Sequence, residues 1–480
     1  MTRPAVTVVT AEGHHLMYDW LAARAAEDPA GLCVVAGGDR VSFAELDEQV
    51  ARAAGVLVSS GIKGGARIAV WGRHDLATVR AVWAVPRAGA VLVSLNTRLT
   101  EQEAAHQVRD AAVSFVVGHD DRPALGVPSL DLDDLVGSLP YHTGPPRADT
   151  PHSIVYTSGT GGHSKGVILT WANLEAAAGA SAEVLEHGPR DVWLAVLPLY
   201  HVGGLSILIR SARQGGAVVL DGFDPHRVAA HLRGGHITLV SLVPTMLSRV
   251  LDVDPGPFPG LRAVLLGGGP VADALLARAA AGRVPVLSTY GLTEAASQVA
   301  TVPLAAAMAR HKVVKPVPGM EVRIVDEGSQ EVPSGTSGRI QIRGAAVSPG
   351  YLHDRTRSPG TWFITGDLGR MDVDHNLAVL GRADDTIITG GENVNPVEVE
   401  AAIEDHPRVV EAAVHGIKDP DWGQIIVATV VAPGVDGQDL DQFLRNRLAG
   451  FKIPTRWYFV PSIPRTGLGK IDRSRLGLPD

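Results

Sequence analysis

The sequence predicts an α/β protein: a large amino-terminal region of parallel sheets, a small β-barrel-like subdomain, and an α+β carboxy-terminal domain. Three observations lead there. From about Val41 to Val347, Ala-rich helical stretches alternate with short β-branched runs. Between roughly Pro318 and Val379 the texture turns to brief β runs separated by turn residues, and a compact tail follows "GRADD". Strands alternating with helices of this length imply parallel sheets covered on both faces.

In order along the chain, "ELDEQVARAAGVLVSSG" reads as a helix before the strand "RIAVWG", "ATVRAVWAVPRAGA" precedes "VLVSL", and "AAHQVRDA" precedes "VSFVVG". "AVLLGGGPV" and "VPVLSTYGLTE" each end a strand in glycine or polar residues, where open α/β sheets place ligands. "MEVRIVD", "GRIQIRG" and "LAVLG" are the short runs of the β-rich part, about 318–380. The tail then reads helix, strand, strand, helix: "PVEVEAAIEDH", "VVEAAVHGI", "QIIVATVVAP" and "LDQFLRNRLAG". A boundary near Arg382 to Asp385 divides the 480 residues into 1–383 and 384–480, as a chain too long for one core requires.

Composition narrows the function. A formal charge of -8 provides no positive field for nucleic acid or an anionic membrane, and apolar runs such as "LSILIR" are far shorter than the ~20 residues of a membrane span. Cys33 is the lone cysteine, and "MTRPAVTVVTAEGHH" breaks into Glu and His before an apolar signal core forms, so a cytoplasmic protein is expected. Basic positions are mostly Arg, with Lys165 and Lys470 among the few lysines; a compact, flexible ammonium is retained where a planar fork does not serve. No residue pattern selects an oligomeric state, and a homodimer is one open expectation.

The stretch "SIVYTSGTGGHSKGVILT" runs from a β-like segment through glycines into another. Its Lys165 follows Ser164 and precedes Gly166, so the G-x-x-x-x-G-K-[ST] phosphate loop is not matched. Backbone N–H groups around Gly159, Gly161 and Gly162, with the Ser158 and Thr160 hydroxyls, can still form an anion-binding concavity.

With "LPLYHVGGL", "STYGLTEAAS", "TGDLGR", "GRADDTIITGGENVNPVEVE" and "PRTGLGK" in the same order, the chain resembles the acyl-adenylate-forming enzymes over nearly its whole length. That resemblance implies activation of a carboxylate by ATP and Mg2+, release of pyrophosphate, and transfer of the acyl group from AMP to the thiol of coenzyme A. It also implies a mobile carboxy-terminal domain whose hinge is Asp384, the second residue after the motif Arg382.

The resemblance assigns roles. Lys470 would bridge the carboxylate and the α-phosphate, aiming positive charge at an anion-on-anion attack. Thr157, Ser158, Gly159, Thr160, Gly161 and Lys165 would hold the departing phosphates. Thr293 would contact the α-phosphate and Glu294 would hold magnesium, which takes few carboxylates and fills its other positions from phosphate and water. Tyr290 beside Gly291 would stack on adenine, Gly268, Gly269 and Pro270 would lie against its edge, and Asp367 with Arg382 would bind the ribose hydroxyls. Gly390 and Gly391 would line the tunnel for the pantetheine arm. The plainer alternatives are a core tyrosine with a helix-capping Thr293, and a turn-forming Asp367 between Gly366 and Gly369.

Only ten residues follow Lys470, so a stand-alone enzyme is expected. Within the superfamily, "LPLYHVGGLSILIRS", "GLTEAASQVAT" and "GGENVNPVEVEA" look most like the 2-succinylbenzoate-CoA ligases of menaquinone biosynthesis. The carboxylic acid pocket would then involve His201 as gate, Gly203, Arg210 and Ser297. If the segment after His201 is helical, Gly203, Ser206, Ile207 and Arg210 share one stripe, and Arg210 lies about 10 Å beyond Gly203, at the reach of a second carboxylate. Alternatively, Arg210 satisfies carbonyls at the helix end, and Ser297 with Gln298 are surface positions of a helix. Departures from the family pattern are Gly161, Ser164, Gly203 and Arg339. A ligase for another aryl, keto or medium-chain acid, an enzyme loading a carrier protein, and a paralogue that binds without catalysis remain open.

Overall fold

The computed structural model describes residues 8–9, 15–16, 19–137, 139–142, 144–157, 164–308, 313–354, 357–389, 392–420, 422–445, 447–465 and 471–476. The glycine-rich stretch 158–163, Gly390, Gly391 and Lys470 lie outside them.

Two large sheets carry the first part of the chain. One has six strands in the order Lys165–Thr170, Pro151–Thr157, Val91–Ser94, Arg67–Trp71, Phe115–Gly118, Ser129–Asp131. Its pairings are parallel apart from the Pro151–Thr157/Lys165–Thr170 hairpin at one edge. The second has nine strands with a parallel centre, including Val192–Ala195, Leu239–Leu242, Ala263–Leu266 and Val286–Leu292. It too turns antiparallel, where Val286–Leu292 meets Ser297–Thr301. Parallel strands buried on both faces read as continuous apolar runs, and the fully buried "VLVS" and "AVLL" fit that rule. The antiparallel edges are where the phosphate and "YGLTE" motifs fall.

Helices start where the sequence supplies an oxygen for their unpaired N–H groups. Ser42 with Glu45, Thr100 with Glu103 and Thr170 with Asn173 form reciprocal caps, each worth about 1 kcal/mol. The Thr170 cap starts the helix Trp171–Leu185 directly from the hairpin strand. Asn173 also donates to the carbonyls of Ala345 and Val347, fastening the later chain to the same corner. Side chains from both sheets meet in one apolar core that includes Leu92, Ile68, Trp193 and Leu205.

The β-rich part is a four-stranded antiparallel sheet: Met320–Val325, Ser337–Gly344, Phe363–Met371 and Leu377–Arg382. The tail builds a separate sheet from Ile387–Thr389, Glu392–Val394, Glu411–Asp419, Gly423–Val431 and Arg456–Phe459, with helices Pro396–Glu404 and Gly437–Arg445 and its own core around Val399, Ile426 and Leu440. Among the described residues no helix is long and apolar enough to cross a membrane.

Candidate active site

The strands on either side of the glycine-rich stretch, Pro151–Thr157 and Lys165–Thr170, pair antiparallel with Thr157 opposite Lys165. These flanks are fastened from the helix Glu101–Asp110. The Tyr156 phenol donates to Asp110 at 2.7 Å, and Gln107 donates to the Ser164 hydroxyl at 3.1 Å. Ser164 therefore anchors the end of the loop, a role the sequence reading did not give it. Lys165 is exposed and carries its ammonium 5.3 Å from the centre of the Tyr351 ring.

Across from the hairpin, Tyr290 and Gly291 end the strand Val286–Leu292, and Thr293–Ala295 form a single 3-10 turn. Leu292 occupies the cap position, so Thr293 is not a helix cap. Ala296 and Ser297 follow with φ of 51° and 115°, which reverses the chain into the strand Ser297–Thr301. Ser297 and Gln298 are thus strand residues, and their reading as helix-surface positions is corrected. Such positive φ in non-glycine residues is strained and is held only where surrounding structure enforces it. Gly291 allows the reversal: a Cβ there would stand 1.8 Å from the Ser297 carbonyl oxygen. Gln298 donates to the Thr301 hydroxyl at 2.8 Å.

The Glu294 carboxylate accepts from the Tyr351 phenol at 2.7 Å through Oε1, while Oε2 has no hydrogen-bond partner among the described residues. No cluster of three His, Cys, Asp or Glu suited to a metal occurs among those residues. A partly exposed carboxylate with one oxygen tied and one open fits an ion such as Mg2+ that draws its remaining ligands from phosphate and water.

Asp367 lies within the strand Phe363–Met371, directly opposite Arg382, with their closest charged atoms 3.4 Å apart. It is not a turn residue. The Tyr290 phenol donates to its other oxygen at 2.6 Å; burial and this carboxylate push the phenol's pKa well above the ordinary tyrosine value. Gly268, Gly269 and Pro270 expose their backbone just past the strand Ala263–Leu266. Asp384 is exposed and 3.3 Å from Arg382.

His201 is the cap residue of the helix Val202–Gln214 and packs edge-on against Tyr200. The turn before it is held by His74, whose Nε2 lies 2.9 Å from the Leu197 carbonyl. Gly204 lets the helix press on that turn, since a Cβ would come within 2.2 Å of the Pro198 carbonyl oxygen. Gly203 is looser, its nearest contact being Leu197 Cδ1 at 3.3 Å.

Arg210 is 1% exposed, and its Nε and Nη2 have no hydrogen-bond partner among the described residues. Its guanidinium sits 5.7 Å from the Trp193 ring, and burial lowers its pKa to about 9, leaving it charged at neutral pH. The helix-end role falls to another residue: Arg24 donates to the Arg213 carbonyl at 2.8 Å and to Ala212, while Arg213 itself pairs with Glu175. Arg210 borders a narrow interstitial gap shared with Leu174, Ala177, Ser206, Ile209 and Ala296, too tight as it stands for water. That gap joins the buried cation to the turn that carries Ser297.

The family model for AMP-binding enzymes matches residues 21–352, and that for the AMP-binding enzyme C-terminal domain matches 398–470. A 2-succinylbenzoate–CoA ligase from Listeria monocytogenes is 35% identical, covering 96% of this chain and 99% of that one. The o-succinylbenzoate CoA synthetase of Bacillus subtilis, solved in complex with its acyl-adenylate intermediate, superposes with a TM-score of 0.90 at 32% identity, covering 96% and 98%. ATP-bound MatB from Rhodopseudomonas palustris gives 0.89 at 30% identity, covering 95% and 97%. The motifs, the fold and the full-length likeness together make this chain a member of the AMP-binding enzyme family.

Proposed function

We propose that the chain is an AMP-forming acid–CoA ligase acting on 2-succinylbenzoate in menaquinone biosynthesis. The carboxylate attacks the α-phosphate of ATP to give an acyl-adenylate and pyrophosphate, and the thiol of coenzyme A then displaces AMP. The observation that carries the choice of acid is Arg210, a buried cation with two N–H-bearing nitrogens unpaired among the described residues. Such a group is costly unless a ligand anion completes it, and a second carboxylate on the substrate is that anion. The names of the curated relatives support the same substrate.

In this reading His201 and Gly203 border the acid, Arg210 takes its distal carboxylate, and Ser297 offers a hydroxyl to the part between. Thr157, Ser158, Gly159, Thr160, Gly161 and Lys165 cradle the phosphates that depart. Thr293 meets the α-phosphate, and Lys470 bridges it to the attacking carboxylate. Glu294 would hold magnesium, which when bound would supply charge neutralisation for the phosphates. Tyr290 with Gly291 and the backbone of Gly268, Gly269 and Pro270 enclose adenine, while Asp367 and Arg382 orient the ribose. Asp384 is the hinge between 1–383 and 384–480, and Gly390 and Gly391 admit the pantetheine arm in the second step.

A panel of acids assayed for AMP release with and without coenzyme A tests this reading. CoA-dependent turnover of 2-succinylbenzoate above all other acids supports it. Turnover of a different aryl, keto or medium-chain acid reassigns the substrate, adenylation without thioester to CoA points to a carrier protein, and silence across the panel to a binding paralogue. A cytoplasmic homodimer completes the proposal, checked by cell fractionation and light scattering.

A further inference from the structure

The segment 348–352 was not singled out by any sequence motif, yet it joins the two halves of the phosphate site. On one side it runs along the hairpin strand: Ile168 N–H donates to the Gly350 carbonyl at 3.1 Å, Leu352 N–H to Gly166 at 2.9 Å, and the Ser348 hydroxyl to Ile168 at 2.6 Å. On the other, Ser348 N–H donates to the Glu294 carbonyl at 2.7 Å. Arg357 fixes the segment from behind through the Ser348 and Val347 carbonyls. Tyr351 is therefore held firmly between Lys165 and Glu294.

Its two contacts differ in kind. The phenol donates to Glu294 Oε1 at 2.7 Å, and the face of the ring lies 5.3 Å from the Lys165 ammonium. A lysine and a glutamate converging on one site would ordinarily pair and cancel, but no ion pair joins these two. A neutral donor orients a carboxylate without removing its charge, and an aromatic face does the same for an ammonium.

We propose that Tyr351 is a positioning residue that keeps Glu294 and Lys165 apart and oriented, so that each reaches the nucleotide with its charge intact. Through it, the carboxylate for the metal and the lysine for the departing phosphates are held in a fixed relation. This rests on the reading that Glu294 holds the divalent ion and Lys165 the phosphates.

The test is metal and nucleotide binding by the full-length protein, with Mn2+ followed by electron paramagnetic resonance in the presence of α,β-methylene-ATP. Native protein, Tyr351→Phe, Tyr351→Leu and Glu294→Gln are compared. Tyr351→Phe is expected to weaken Mn2+ on the order of tenfold, as loss of a hydrogen bond to a charged group implies, with AMP affinity and melting temperature unchanged. Tyr351→Leu is expected to weaken the analogue itself by a further factor of about three through Lys165, again sparing AMP. A Tyr351→Phe titration that superposes on the native one, while Glu294→Gln loses Mn2+, overturns the proposal alone. Native Mn2+ binding by Glu294→Gln removes the underlying reading and the proposal with it. Parallel losses of Mn2+, AMP and melting temperature in Tyr351→Phe also overturn it, since they mark a purely structural tyrosine.

Discussion

Tyr290 donates a 2.6 Å hydrogen bond to Asp367 from 77 residues away, joining the end of a large-sheet strand to the centre of the small antiparallel sheet. The phenol occupies one carboxylate oxygen and Arg382 approaches the other. The carboxylate is thus oriented before any nucleotide arrives.

If Asp367 is the ribose acceptor, Asp367→Asn weakens AMP binding on the order of 10- to 100-fold, the effect of losing charge-assisted hydrogen bonds. Tyr290→Phe retains the ring and the carboxylate and costs less than about fivefold. Calorimetric titration with AMP ranks the two, and the reverse ranking would sink the assignment.

Arg210→Ala is expected to lower kcat/KM for 2-succinylbenzoate by about 100-fold or more while changing that for a monocarboxylate analogue by less than about fivefold. The discriminating quantity is the ratio between the two acids. Equal losses would show that Arg210 acts through packing against Trp193.

Lys470→Ala is expected to lose adenylation by roughly three powers of ten yet retain thioester formation from preformed acyl-adenylate and coenzyme A. Pyrophosphate exchange reads the first step and thioester absorbance the second. Equal losses in both steps would refute the division of labour.

His152 is fully buried between Trp20 and Trp171 with neither ring nitrogen hydrogen-bonded among the described residues, and burial lowers its pKa from 6.5 to about 3. As pH falls below 6.5, the unfolded chain takes up a proton that the folded site refuses. The contribution is complete above that pH and is lost toward pH 3, at ~1.4 kcal/mol per pH unit. Chemical denaturation between pH 7 and pH 4 should show His152→Leu losing stability less steeply than the native protein, whatever the offset between them. Parallel slopes would contradict the neutral buried imidazole.

The fold was legible where burial is dictated locally. Apolar runs such as "VLVS" and "AVLL" and reciprocal caps such as Ser42 with Glu45 announce their elements from within a few residues. The resemblance puts Asp367 and Arg382 at one ribose, and the structure brings the two together as a cross-strand pair. Tyr351 was not legible, because its importance comes from a chain return beside residues 165–170 that no local periodicity encodes. The Ala-rich "TEAAS" kept a helical reading open for Ser297, and backbone reversal at Ala296 and Ser297 overrides that propensity.

Arg24 closes the end of the helix Val202–Gln214 from a helix 188 residues earlier in sequence. The terminus therefore does not depend on Arg210 for its electrostatic completion. Exchange of Arg210 for a neutral or longer side chain therefore leaves the helix that begins after His201 closed at its far end. If Arg210 binds the acid as proposed, recognition and architecture fall to different arginines, and the acid pocket is free to diversify on an unchanged frame.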